Sequence, residues 1–494
     1  MTAVAPIAHP DRFYIDGRWE KPSSDATLKV LDSNDEELYL EYAAAQAADM
    51  DAAVGAARAA FDHGPWSRLA PSERAAYLRT MGEELNRRAE ALADVLPRES
   101  GNLYSNTKLS GAIALGTLNA FAELADQVEW ERQVKPVAGD LALVVKAPVG
   151  VVGAIVPWNG PLLLSLVKVA PALLAGCTVV LKADPAAPGA PYLIAEAAEA
   201  AGLPAGVLNV VVADREVSEL LVRDPRIDKI AFTGSTAAGR RIASILGERI
   251  ARFTLELGGK SPAVILDDAD LESAAQALAA AECRLTGQVC ASLTRLIVTR
   301  QRHDEFVDAL ASAFSDKVVG NAFDPASDMG PLASAAQRDR VEGYVRRGIE
   351  AGAQLVTGGG RPQGLDRGYF VEPTVFAKVD NSSVIGQEEI FGPVLSVIPA
   401  DDEDDAVRIA NDTIYGLNAA VFTPDPDRAL AVARRLRSGT VLQNTSSVGF
   451  SIAFGGMKQS GIGREGGLEG LHAYLETQVI ALDSTPARYR PPMP

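Results

Sequence analysis

Four short apolar runs recur at close intervals in one stretch of the chain: VVGAIV (151–156), TVVLK (178–182), VLNVVV (207–212) and KIAFTG (229–234). Near-continuous β-branched runs of this length suit strands buried on both faces, as in a parallel sheet covered by helices on each side. Helical patterns fill the gaps, near 162–175, 192–201 and 216–223. The segment is therefore expected to be a doubly wound α/β unit, a fold that accepts a dinucleotide. A second α/β region follows Gly259, with strands expected near 263–266 and 295–298 and helices near 271–281 and 304–314. Alanine-rich patterns over 50–126 read as helices. From 135 to 156, β-branched residues broken by Gly139, Pro148 and Gly150 read as two extended strands and then a buried one. TQVIALD reads as a late strand before a proline-rich tail.

A chain of 494 residues exceeds one ordinary core, so two or three domains are expected. The net charge of −17 argues against non-specific nucleic-acid binding, which needs clustered Lys and Arg. Cys177, Cys283 and Cys290 show no CxxC spacing, and His9, His63, His303 and His472 are scattered, so no metal site is expected and a reducing compartment is. The N-terminal MTAVAPIAHPDRFYIDG has no signal-peptide pattern, and Lys168 and Pro171 interrupt the longest apolar stretch, 161–181. A soluble, cytoplasmic protein is the expectation.

Chemistry concentrates at Glu256, in ELGGKSP, and Cys290, in GQVC. A thiolate can attack a carbonyl carbon, and a carboxylate can activate the water that releases the adduct. The glycines after Glu256 permit a sharp turn that would bring it to a sheet edge. Asn159, in PWNGP, stands where a buried strand ends; its amide could donate to an oxyanion or simply cap the next helix. FTGSTAAGR (232–240) opens a helix with small residues suited to a pyrophosphate, although it matches neither the P-loop nor the GxGxxG fingerprint.

Together these segments resemble the aldehyde dehydrogenase superfamily. The landmarks run in order from FYIDGRW through PWNGP, GCTVVLK, GLPAGVLNVV, FTGSTAAG, ELGGKSP, GQVC, QEEIFGPV and NDTIYGLNAAVF to FGGMKQSGIGREGG. The resemblance implies an α/β chain with two doubly wound parallel-sheet domains, one Rossmann-like for the cofactor and one catalytic, plus a small β oligomerisation arm. It divides the chain into 1–126 with 148–257 (NAD(P) binding), 258–469 (catalysis) and 127–147 with 470–494 (the arm), and it implies a homodimer or homotetramer. It implies oxidation of an aldehyde to an acid, with Cys290 as nucleophile, Asn159 and the Cys290 N–H at the oxyanion, and Glu256 as base for the water. Lys168 and Glu465 match a proton-relay pair, with a purely structural ion pair as the alternative. NAD or NADP would meet Val156, Pro157, Trp158, Lys182, Phe232, Thr233, Gly234, Ser235, Leu257, Gly258, Glu389 and Phe391. Gly160, Leu164, Val167, Arg284 and Val289 would border the substrate.

Some positions depart from the family pattern. Pro185 stands where many NAD-preferring relatives carry a Glu that repels a 2′-phosphate, so dual use of NADP is open in this reading, with NAD the favoured cofactor. Gly160 and Val167 replace bulky aromatics and widen the expected tunnel; Ala453 replaces a usual Pro. Arg284 matches a carboxylate-binding Arg of semialdehyde-type members, but the second basic residue of that clamp would fall at Val167. Pairing of Arg284 with Glu282 or another acid is the plainer alternative. A CoA-acylating relative is disfavoured by Glu256, and a catalytically silent one by the retained Cys290, Glu256, Asn159 and Glu389.

Overall fold

The computed structural model describes residues 6–447 and 449–490; the start of the N-terminal segment and the end of the proline-rich tail lie outside the described residues. The four apolar runs form parallel strands Val151–Ile155, Thr178–Ala183, Leu208–Val212 and Lys229–Thr233, with every residue buried. A fifth, Arg252–Glu256, lies beside Lys229–Thr233. The chain steps outward from Val151–Ile155 through Thr178–Ala183 to Leu208–Val212, then returns to place Lys229–Thr233 on the other side of Val151–Ile155. That reversal opens a crevice at the carboxyl ends of the two central strands, where open α/β sheets bind ligands. PWNG, TGS and LGG all leave the sheet at this edge.

Short antiparallel strands complete the sheet. Phe13–Ile15 and Arg18–Glu20 extend one side, and Gly461–Ile462 pairs with Leu255 and Glu256 on the other. The last of these falls within the stretch grouped above with the catalytic unit. Helix Pro161–Ala175 carries Pro161 in its first turn, where the missing N–H costs nothing, and ends at Gly176 with φ 95°.

The second unit is a seven-stranded sheet ordered Gln354–Thr357, Thr374–Ala377, Val394–Ala400, Arg295–Thr299, Pro262–Ile265, Asn418–Phe422 and Thr440–Gln443. It is parallel except at its first pair, with apolar clusters on both faces. A three-stranded antiparallel sheet joins Glu131–Val134, Leu141–Pro148 and Leu475–Leu482. Two strands, Thr27–Leu31 and Leu38–Ala43, form a separate hairpin. Among the described residues no helix is long and apolar enough to cross a membrane, and no cluster of His, Cys, Asp or Glu could hold a metal ion.

Candidate active site

Cys290 follows a turn in which three successive residues take left-handed backbone: Leu285 (φ 52°), Thr286 (φ 55°) and Gly287 (φ 69°). Two non-glycine residues in that region store strain that the surroundings must hold. Thr286 Oγ1 donates to the Gly330 carbonyl (2.8 Å), Gln288 Nε2 to the Leu285 carbonyl (2.9 Å), and Ala333 N–H to Gln288 Oε1 (3.0 Å). A side chain at Gly287 would come within 2.5 Å of the Gly392 carbonyl carbon. The loop is thus wedged against the FGPV segment. Cys290 is half-buried beside Ala291, Leu417, Phe450 and Phe454. Loss of water, then the charges of Glu389 and Glu256, push its thiol up to about 12.

Asn159 leaves the central strand Val151–Ile155, and its Nδ2 donates to the Gln288 carbonyl at 2.8 Å. This bond aims the amide at the nucleophile loop while leaving a second N–H on the same nitrogen. Glu256 ends strand Arg252–Glu256, 3% exposed, and neither carboxylate oxygen has a protein partner. Burial, then the nearby Glu465 charge, raises its pKa well above the usual carboxylate range, against Lys168 and Arg464. The acid is therefore poised to hold a proton.

Behind it, Lys168 Nζ lies 2.5 Å from both Thr233 Oγ1 and Glu465 Oε1, with both charged side chains almost wholly buried. A buried pair of this kind is weak evidence for stability. It does bring a second carboxylate close enough to act on Glu256.

A cavity of about 230 Å³ opens at the crevice. Pro157, Trp158 and Asn159 line it from one strand end, Thr233, Gly234 and Ser235 from the next, and Leu257 and Gly258 from a third. Cys290, Glu389 and Phe391 close it. Glu389 Oε1 accepts from Gly259 N–H (3.0 Å), and a Cβ at Gly258 would reach 2.5 Å from Glu389 Oε2, so a side chain there would displace this carboxylate. Phe391 has φ 66° and meets Trp158 edge-on, ring centroids 5.4 Å apart. Val156 is buried behind this wall. Lys182 and Phe232 instead line a neighbouring cavity of about 220 Å³ with Asp184, Pro185, Arg215, Glu219 and Arg241.

Helix Thr236–Glu248 begins between the two cavities, Ser235 Oγ accepting from Ala238 N–H at 3.2 Å. Two pockets flanking one helix N-terminus at a strand-order reversal fit a dinucleotide pyrophosphate with a group at each end. Two lining residues, Gln337 and Arg340, escaped the sequence reading. Gln337 Nε2 donates to the Phe391 carbonyl (2.6 Å) and Arg340 Nη2 to the Glu389 carbonyl (2.5 Å), so they brace the far wall. Their i, i+3 spacing puts both on one helix face, the only signal they offered.

Of the expected substrate residues, Gly160 lies against Leu164: an added Cβ would be 3.3 Å from Leu164 Cδ1. Val289 is half-buried in the apolar patch around Cys290. The other two lie elsewhere. Val167 is fully buried in the core beneath the first sheet, because its helix is enclosed on nearly every side, Leu163 alone being half-buried. Arg284 is exposed, lines neither cavity, and forms no ion pair with Glu282, whose buried carboxylate accepts from Ser292 Oγ.

The sequence profile of the aldehyde dehydrogenase family matches residues 19–480. The chain is 45% identical over 471 residues to geranial dehydrogenase of Castellaniella defragrans, covering 95% of this chain and 98% of that one. It is similar to a Mycobacterium tuberculosis aldehyde dehydrogenase solved with NAD+, at 44% identity and TM-score 0.93, covering 96% and 98% of the two chains. It is also similar to a variant of aldehyde dehydrogenase C of Pseudomonas syringae solved with NAD+ and octanal, at 40% identity and TM-score 0.93, covering 97% and 99%. Matches of this extent, on a fold that sets a cysteine, a carboxylic acid and an asparagine around one crevice, make this chain a member of the aldehyde dehydrogenase family.

Proposed function

We propose that Cys290, Glu256 and Asn159 carry out the oxidation of an aldehyde to its carboxylic acid with NAD+ or NADP+. Aldehyde, water and the oxidised cofactor give acid, reduced cofactor and one proton. The observation that carries the reading is the wedged loop that presents Cys290 to the cofactor-shaped crevice with Asn159 tied to the same loop. The Cys290 sulfur attacks the carbonyl carbon and its proton leaves; the free Asn159 N–H and the Cys290 backbone N–H receive the oxygen as it becomes negative. When bound, the oxidised nicotinamide supplies a hydride acceptor and a positive charge. Glu256, once deprotonated, takes a proton from the water that cleaves the thioester on Cys290. Glu465 and Lys168, paired with each other, tune through their charges when Glu256 gives up its own proton.

Formation of reduced cofactor that depends on added aldehyde tests this reading. No such formation with any aldehyde would leave a silent scaffold. A CoA-dependent product would favour the acylating alternative.

Dual cofactor use is supported by the second cavity. No acid occupies position 185, and Lys182, Arg215 and Arg241 outnumber Asp184 and Glu219 around it. Glu219 is already engaged by Arg241 (2.7 Å twice) and Arg223 (2.8 Å), which hold its carboxyl down to about 2. The kcat/KM with NAD is expected to exceed that with NADP by less than about a thousandfold, about 4 kcal/mol of preference. Steady-state kinetics with both cofactors checks this, and a larger ratio removes the inference.

We also infer that the three-stranded arm joins copies of the chain. Among the described residues its outer strand Leu475–Leu482 is paired on one side only and exposes Val479, and edges of this kind invite pairing. Sedimentation is expected to give a dimer or tetramer; a monomer at micromolar concentration would overturn this.

A further inference from the structure

A third opening, of about 370 Å³, adjoins the apolar patch around Cys290, because Phe450 both lines it and packs in that patch. One wall is a single face of helix Ser110–Glu123 and the residue following it: Ile113, Gly116, Thr117, Ala120, Phe121 and Leu124. Their spacing is that of one helical stripe, with the smallest residues in its middle. Leu163, one turn beyond Asn159, faces them.

None of the described lining residues is charged, and the only polar side chains are the hydroxyls of Thr117 and Ser451. Gly116 keeps the opening wide: a Cβ there would meet nothing within 4 Å. The apolar character continues outward through Ile113, 46% exposed.

We propose that this cavity selects uncharged aldehydes with a long or branched hydrocarbon tail, and that Gly116 is a residue that sets the permitted bulk. The proposal rests on the catalytic reading of Cys290 given above. A space of this size suits a tail of many carbons, since cavities of roughly 300–1,000 Å³ enclose drug-sized ligands. Burying a carboxylate in a wall without a cation would leave its charge unpaired. With Arg284 exposed and off this wall, semialdehydes are disfavoured. A quaternary ammonium tail would likewise find no acid here, and only Phe121 and Phe450 as aromatic faces.

The test compares kcat/KM for propanal, octanal, succinic semialdehyde and betaine aldehyde in the intact protein and in Gly116→Leu. Leucine has a higher helix propensity than glycine, and the site is open, so the helix is expected to form. Octanal is expected to exceed propanal by at least about 100-fold, since an added methylene seated in an apolar pocket is worth about 10-fold or more and octanal has several to seat. Both charged aldehydes should fall below octanal by a similar margin. Gly116→Leu should lower the octanal-to-propanal ratio by about 10-fold or more.

Calorimetric binding of octanamide, which cannot be oxidised, gives a readout independent of turnover, and Gly116→Leu should weaken it by a comparable factor. Octanamide binding that Gly116→Leu weakens, in a protein that oxidises no aldehyde, sinks the catalytic reading and sustains the cavity. Propanal oxidised as well as octanal, preference for either charged aldehyde, or octanamide binding untouched by Gly116→Leu overturns the proposal.

Discussion

Cys290→Ala is expected to lower kcat for aldehyde oxidation by about 10⁴-fold or more, because the covalent route loses its nucleophile and no neighbouring group can replace it. Cys177 is fully buried before strand Thr178–Ala183, and Cys283 is buried at the end of its helix. Neither lines the crevice. Cofactor binding, measured by calorimetry, should survive. The loop is held by Thr286, Gln288 and the Gly287 contact rather than by the sulfur, so its shape does not depend on the lost atom. Turnover above a tenth of the parent rate would remove Cys290 from the mechanism. With the thiol pushed up to about 12, removal of its proton is part of the attack, and the positive charge that arrives with the oxidised cofactor favours it.

Glu256→Gln should separate the two halves of the reaction. A rapid burst of reduced cofactor is expected, followed by turnover slower by about 10²–10⁴-fold, the usual contribution of a general base. Stopped-flow absorbance reads both phases. A steady rate equal to the parent's, or no burst, would reassign the base.

The pH profile gives a second signature of the same residue. Glu256 acts only when deprotonated, and burial with the Glu465 charge raises its pKa, so the parent's deacylation rate should climb as pH rises above the ordinary carboxylate range. The groups facing it are Glu465, which raises the pKa, and Lys168 and Arg464, which lower it. In Glu256→Gln the rising limb that belongs to this proton should vanish. The substitution should fold, since the carboxylate accepts no protein hydrogen bond whose loss would cost stability.

Much of the fold was legible because its signals are local. VVGAIV, TVVLK, VLNVVV and KIAFTG became fully buried strands, as their unbroken apolar character requires. ELGGKSP and GQVC announced an acid and a nucleophile by residue type alone. Less could be read from Phe13–Ile15 or Arg18–Glu20, since three-residue strands are too short to show a period. Gly461–Ile462 carries no strand signal of its own; pairing with Leu255 and Glu256 creates it. Gln337 and Arg340 stayed hidden because bracing a backbone carbonyl demands no particular reactivity.

The amino-acid sequence by itself determined the family, the alternation of strands and helices, and the chemical groups available for thioester chemistry. Those follow from side-chain type and short-range periodicity, which folding does not change. Tertiary structure alone decided that Glu256 lies unpaired near Glu465, that Arg284 turns to solvent, that Val167 sinks into the core, and that a cavity without charge among its described lining residues opens beside Phe450. Each of these depends on segments distant in the chain meeting at one place. Burial and electric field are properties of that meeting and not of any residue taken singly.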